Sequence, residues 1–115
     1  MHDKTIFEKI VAREIPAEVI YEDEHVFCFR DAQPQAPIHL LIIPKKPIPR
    51  IAATTDNDSS LIGHLFTRIP IIADQEGIAE SGFRIIVNNG PDGGETVPHL
   101  HLHLLAGRPL KWPPG

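Results

Sequence analysis

Near the end of the chain, histidine and leucine alternate through His99-Leu100-His101-Leu102-His103-Leu104-Leu105. Successive side chains of a strand point to opposite faces, so this stretch predicts a final strand over Val97 to Leu105 with three imidazoles on one face. Elsewhere the period changes. Ile6, Phe7, Ile10 and Val11 recur at helical spacing, which predicts a short amphipathic helix over residues 4 to 13, with Asp3 offered as N-cap and Pro16 ending it. Glu18 to Tyr21 and His25 to Arg30 read as a hairpin around the acidic turn Glu22-Asp23-Glu24. After the breaker Gln33-Pro34-Gln35-Ala36-Pro37, the run Ile38-His39-Leu40-Leu41-Ile42-Ile43 is nearly all apolar, as in a strand covered on both faces. Lys45 to Pro49 reads as a proline-rich loop.

A longer helix is predicted after Asp58-Ser59-Ser60, whose side-chain oxygens are capping groups. Leu61, Ile62, Leu65, Phe66, Ile69, Ile72 and Ala73 form its apolar stripe, and Gly77 closes it. Pro70 lies inside that stripe, where a missing amide predicts a kink or two helical pieces. Phe83 to Asn88 is a further strand and Asn89 to Glu95 a glycine-rich loop. Several connections are too short for helical crossovers, so the class is α+β with an antiparallel sheet.

At 115 residues the chain has the length of one domain, residues 1–115. Its formal charge of −4, with no long basic run, argues against a grip on nucleic-acid phosphates and for a small ligand. Cys28 has no cysteine partner and sits in an apolar run, as a buried thiol in a reducing compartment would. Met1-His2-Asp3-Lys4 has neither signal-peptide nor transit-peptide character, and no apolar run approaches the roughly 20 residues that span a bilayer.

Three alternating histidines allow two chemistries. A zinc ion needs ligand bonds of about 2 Å, whereas the α-carbons of His99 and His103 stand about 13 Å apart on a strand at roughly 3.3 Å per residue; no cysteine pair, His-Glu-x-x-His or aspartate cluster offers a better cage. Nucleophilic catalysis suits the row better. A neutral central imidazole attacks, and its neighbours bind oxygens of a phosphate-sized group. The bland alternatives are a polar strand face at the triad, a core position for His39, a turn former at Asn88, a solvated loop for Asp31, Lys45 and Lys46, and a surface turn for Gly90, Gly93 and Gly94, whose amides could otherwise face phosphate.

The block His-φ-His-φ-His-φ-φ, with φ apolar, resembles the histidine triad nucleotide hydrolases and transferases. Ile6-Phe7 with Ile10, Phe29-Arg30-Asp31, Pro34-Gln35-Ala36-Pro37-x-His39, Ile43-Pro44-Lys45-Lys46, Gly93-Gly94-x-Thr96, Gly107-Arg108 and Trp112-Pro113-Pro114-Gly115 extend the resemblance to the HINT branch, the histidine triad nucleotide-binding proteins. It implies a five-stranded antiparallel sheet with two main helices, and a homodimer with a continuous ten-stranded sheet. It also implies a purine nucleoside phosphoramidase that needs no cofactor or metal and acts through a covalent nucleotidyl-histidine. The resemblance makes His101 the nucleophile, His103 a phosphate ligand, His99 a holder of the central ring through its side chain or carbonyl, and His39 a fourth active-site histidine. Thr96 would bind phosphate or assist the leaving group. Asp31 would bind the ribose hydroxyls, Asn88 would hydrogen-bond nucleotide, and Ile6, Phe7, Ile10, Phe29 and Leu41 would sandwich the purine. Trp112 would lie on the leaving-group side of the partner's site.

Asn88 stands where the dinucleoside polyphosphate hydrolases resemble one another in carrying Gln, which separates this chain from them. Pro98, Ala32 and Ala106 depart from the branch: Pro98 removes a ladder donor, and Ala32 loosens the purine pocket. Pro47 and Pro49 resemble an organellar member, and the cytoplasm is the expected compartment, with nucleus and organelle left open. A purine nucleotide-binding scaffold without catalysis is the alternative from another class, and a dinucleoside polyphosphate hydrolase is the alternative within the resemblance.

Overall fold

The structure is a computed structural model and describes residues 3–115; Met1 and His2, part of the polar start, lie outside the described residues. Helix α1 (Ile6–Val11) is followed by β1 (Val19–Glu22), β2 (Val26–Arg30) and β3 (Ile38–Pro44), then α2 (Ser59–Thr67), α3 (Ile69–Gln75), β4 (Phe83–Val87) and β5 (Leu102–Ala106). The five strands form one antiparallel sheet in the order β1-β2-β3-β5-β4. Among the described residues no helix is long and apolar enough to cross a membrane.

Each face of the sheet has its own core. Cys28, Leu40, Ile42, Leu102 and Leu104 pack on one face with Leu65, Ile69, Ile72 and Ala73 of α2 and α3. On the other, Phe27, Phe29, Leu41 and Ile43 pack with Phe7 and Ile10 of α1. The near-continuous apolar run of β3 is thereby explained, because it is buried on both faces. Burial also pushes the Cys28 thiol up to about 12, which keeps it a neutral packing group.

Local interactions set the helix ends, moving the α1 cap from its expected place and dividing the long helix in two as Pro70 predicts. Thr5, rather than Asp3, caps α1: its hydroxyl accepts from the Glu8 amide at 3.2 Å while the Glu8 carboxylate accepts from the Thr5 amide at 3.0 Å. Asp58 occupies the N-cap position of α2 but gives it no side-chain bond, because its carboxylate takes the Thr55 amide and the Lys46 ammonium, each at 2.9 Å. The long helix divides at Arg68, where Pro70 falls in the first turn of α3 and its missing amide deprives no helical bond.

The last strand is the largest difference. Regular pairing begins only at Leu102, not Val97. Pro98 has no amide to donate, His99 bonds back to the Val97 carbonyl at 2.9 Å, and the Leu100 amide reaches the Ile48 carbonyl at 2.7 Å. The alternation of faces survives this irregularity: Leu100, Leu102 and Leu104 all enter the core beneath α2 and α3.

Candidate functional site

His99, His101 and His103 arrive from the turn before β5 and from β5 itself, and His39 arrives from β3, where it is paired opposite Leu105. The rings of His101 and His103 lie 5.0 Å apart, those of His39 and His103 5.2 Å apart, and the Phe7 ring meets His101 edge-on at 4.9 Å. The rings of His39, His101 and His103 therefore converge, while that of His99 turns to the Pro44 carbonyl; only His103 and His39 occupy regular strand positions.

Their hydrogen bonds assign the protons. His101 Nδ1 lies 2.7 Å from the His99 carbonyl oxygen. A carbonyl only accepts, so Nδ1 carries a hydrogen, and in the neutral ring Nε2 then keeps its lone pair. That Nε2 has no partner among the described residues. His99 acts through its backbone here, while its own Nε2–H donates to the Pro44 carbonyl at 2.7 Å. It is fully buried, burial lowers its basicity, and its Nδ1 has no partner among the described residues.

His39 Nε2 lies 2.9 Å from His103 Nδ1, and the Gln35 amide donates to His39 Nδ1 at 3.0 Å. Burial lowers the pKa of His39 and, with the neighbouring His101 and His39 adding to it, holds His103 down to about 4. Both rings are neutral at pH 7.

Asp31 follows β2. One carboxylate oxygen accepts from the Gln33 amide at 2.8 Å, and the other lies 3.4 Å from His39 Nε2. Asp31, Ala32, Phe29, Ile6 and Ile10 line one cleft of about 410 Å³. Phe7 and Leu41 are buried beneath it in the core rather than lining it.

The glycine loop is organised differently from its sequence reading. The amides of Gly90, Gly93 and Gly94 are all used internally, by the Glu95 carboxylate and by the Gly90 and Pro91 carbonyls. Asn88 donates its side-chain N–H to the Gly93 carbonyl at 2.6 Å, as a turn-holding residue does. Thr96 is exposed. Sequence reading passed over Glu95, the residue between Gly94 and Thr96. Its carboxylate takes both Arg50 Nε at 2.8 Å and Arg50 Nη2 at 3.0 Å, and these bonds hold its pKa at about 2. A bidentate pair across 45 positions has no local sequence signal. Lys45 and Lys46 are likewise paired, with Glu22 and Asp58, and Trp112 is 83% exposed.

Ligand atoms of Asp31, His39 and His103 all lie within 4.8 Å of one another. The spacing suits a small cation, but the protons do not. The Gln35 amide occupies the lone pair of His39 Nδ1, so Nε2 bears hydrogen and offers no electron pair inward. His103 Nδ1 in turn accepts that hydrogen. These residues as arranged do not fit a metal ion.

An imidazole nitrogen left unpaired beside the His103 ring is an arrangement that can act as a nucleophile or a general base. Residues 12–110 match the HIT domain family, and the chain belongs to that family. A HIT-like protein of Synechococcus elongatus is 53% identical over the whole of both chains. A 14 kDa zinc-binding protein of Zea mays is 47% identical over 96% of this chain and 88% of its own. Among solved structures, a HIT family hydrolase from Legionella pneumophila shares 48% identity, with a TM-score of 0.94 over 97% of this chain and all of its own. A histidine triad nucleotide-binding protein from Candida albicans matches at 28% identity and a TM-score of 0.79, over 88% of this chain and 73% of its own.

Proposed function

We propose that this chain is a purine nucleoside phosphoramidase of the HINT branch, hydrolysing the bond between the α-phosphorus of a nucleoside 5′-monophosphate and an amine. The observation that carries the reading is the His101 ring, whose Nδ1–H is tied to the His99 carbonyl so that Nε2 is the nitrogen left to attack when the ring is neutral. In the proposed reaction an Nε2–P bond forms as the P–N bond breaks, and the amine leaves with that electron pair and takes a proton from solvent, which the attacking water of the next step returns. Water then attacks the nucleotidyl-imidazole, releasing the nucleoside monophosphate and restoring the ring. His103 donates to the phosphoryl oxygens, Asp31 takes the ribose hydroxyls, and the purine enters the cleft of Ile6, Ile10 and Phe29. Support for a nucleotide comes from the Candida albicans neighbour, and for hydrolysis from the Legionella pneumophila one.

The resemblance further supports a homodimer through the exposed edge strand β4, with Trp112 of each protomer near its partner's leaving-group side, and a cytoplasmic setting. Incubation with an adenosine 5′-phosphoramidate carrying a fluorescent amine tests the function. Amine release should be lost in His101→Ala while purine nucleotide affinity stays within several-fold. A covalent nucleotidyl adduct should map to His101 by mass spectrometry. Retained turnover in that variant, or binding without turnover in the parent, overturns the reading.

A further inference from the structure

Arg108 carries none of the chemistry described above, yet a series of hydrogen bonds running through the residue Gln35 connects it to His103. Arg108 Nη2 donates to the Gln35 carbonyl at 3.1 Å. The Gln35 amide donates to His39 Nδ1 at 3.0 Å, and His39 Nε2 meets His103 Nδ1 at 2.9 Å. Gly107 is what brings Arg108 there. Its φ is +96°, and an added Cβ would lie 2.7 Å from the Pro37 Cβ, so the chain can press on the 33–37 loop only without a side chain.

A neutral imidazole has one hydrogen, and the structure leaves it one place. On His39 Nδ1 it would point head-on at the Gln35 N–H, and it would leave an Nε2 lone pair facing the Asp31 carboxylate 3.4 Å away. On Nε2 both contacts are favourable. His103 Nδ1 must then accept, which sends the hydrogen of His103 to its Nε2. Burial keeps both rings neutral, so no second proton blurs the choice.

We propose that the Gln35 N–H, on a residue held in place through its carbonyl by the Arg108 guanidinium, locks His39 as its Nε2–H tautomer and so presents His103 to the substrate as a neutral Nε2–H donor. Arg108 is thus a positioning residue that acts on the phosphoryl group through three intervening hydrogen bonds. Its catalytic consequence rests on the proposed phosphate contact of His103; the tautomer itself does not.

The test reads tautomers directly, by long-range ¹H–¹⁵N correlation spectra of the full-length protein with ¹⁵N-labelled histidine near pH 7.5. His39 and His103 should both show protonated Nε2 and unprotonated Nδ1. Gln35→Pro removes the N–H while keeping the carbonyl and should shift His39 toward a tautomer mixture, with circular dichroism checking the fold. Arg108→Ala, at an exposed position, should produce a smaller shift in the same direction. It should also lower kcat about three- to tenfold, the range of one net hydrogen bond, with KM changed less than twofold; Arg108→Lys should restore most of it. An Nδ1–H tautomer of His39 in the parent, or identical tautomers in the parent and both variants, overturns the lock. The expected tautomers in a parent that fails to turn over phosphoramidates uphold the lock and overturn the reaction instead.

Discussion

Acidification should destabilise this fold well above the range in which its carboxylates titrate, and His103 sets the minimum size of the effect. Its pKa is about 4 in the folded state, against an ordinary value of 6.5, because burial and its imidazole neighbours oppose the charge. The unfolded chain therefore binds a proton below 6.5 that the folded chain refuses. Stability is full above pH 6.5 and is lost as pH falls toward 4. From about pH 7.5 to about pH 5 the linkage relation gives a loss of about 2 kcal/mol from this one group. His39 and His99, both lowered by burial, add to it with the same sign. The depressed carboxylates Glu22 and Asp58 act in the same direction but only below their ordinary values of 4.5 and 3.8, outside this window. Urea unfolding at the two pH values checks the figure, at one protein concentration because any association would shift the midpoint. Far-UV circular dichroism is the suitable signal, since Trp112 is already exposed in the folded state. His103→Asn keeps a polar partner for His39 and removes the titration, so its pH dependence should be about 2 kcal/mol smaller. Equal stability of the parent at both pH values, or an undiminished pH dependence in the variant, would refute the burial argument.

Dialysis against EDTA should leave phosphoramidate turnover unchanged, and the purified protein should contain far less than one zinc per chain; activity lost to EDTA and restored by zinc would reverse the reading of the His39 proton. Adenosine monophosphate should bind about tenfold more tightly than its 2′,3′-dideoxy analogue by calorimetry, a gap that closes in Asp31→Ala; equal affinities in the parent count against the ribose role. Gly93→Ala places a Cβ 2.4 Å from the Asn89 carbonyl oxygen, so the 89–96 loop must move, and amide exchange there should rise; unchanged exchange would show the contact to be relieved without loop movement. Removing residues 112–115 should impair turnover of aromatic amines more than of a small aliphatic amine, with size-exclusion reporting the assembly; a uniform change would make the tail structural.

Sequence periodicity determined the broad architecture. The double-sided burial of β3, the hairpin of β1 and β2, the broken helix at Pro70 and the antiparallel α+β class all follow from apolar spacing and prolines, since these depend on a few neighbouring residues. The histidine row was equally legible, and its sidedness survived a shorter strand. Tertiary structure alone decided which atoms carry the protons. His39 comes from another strand, the carbonyl that orients His101 belongs to a turn created by Pro98, and the amide that orients His39 is a backbone group with no residue signature. The Arg50–Glu95 pair likewise joins positions that only the fold brings together. Hydrogen bonds of this kind are set by distances between segments remote in the chain, whereas hydrophobic period is a local property. The row of imidazoles could therefore be found by spacing, but which nitrogen of each ring donates could not.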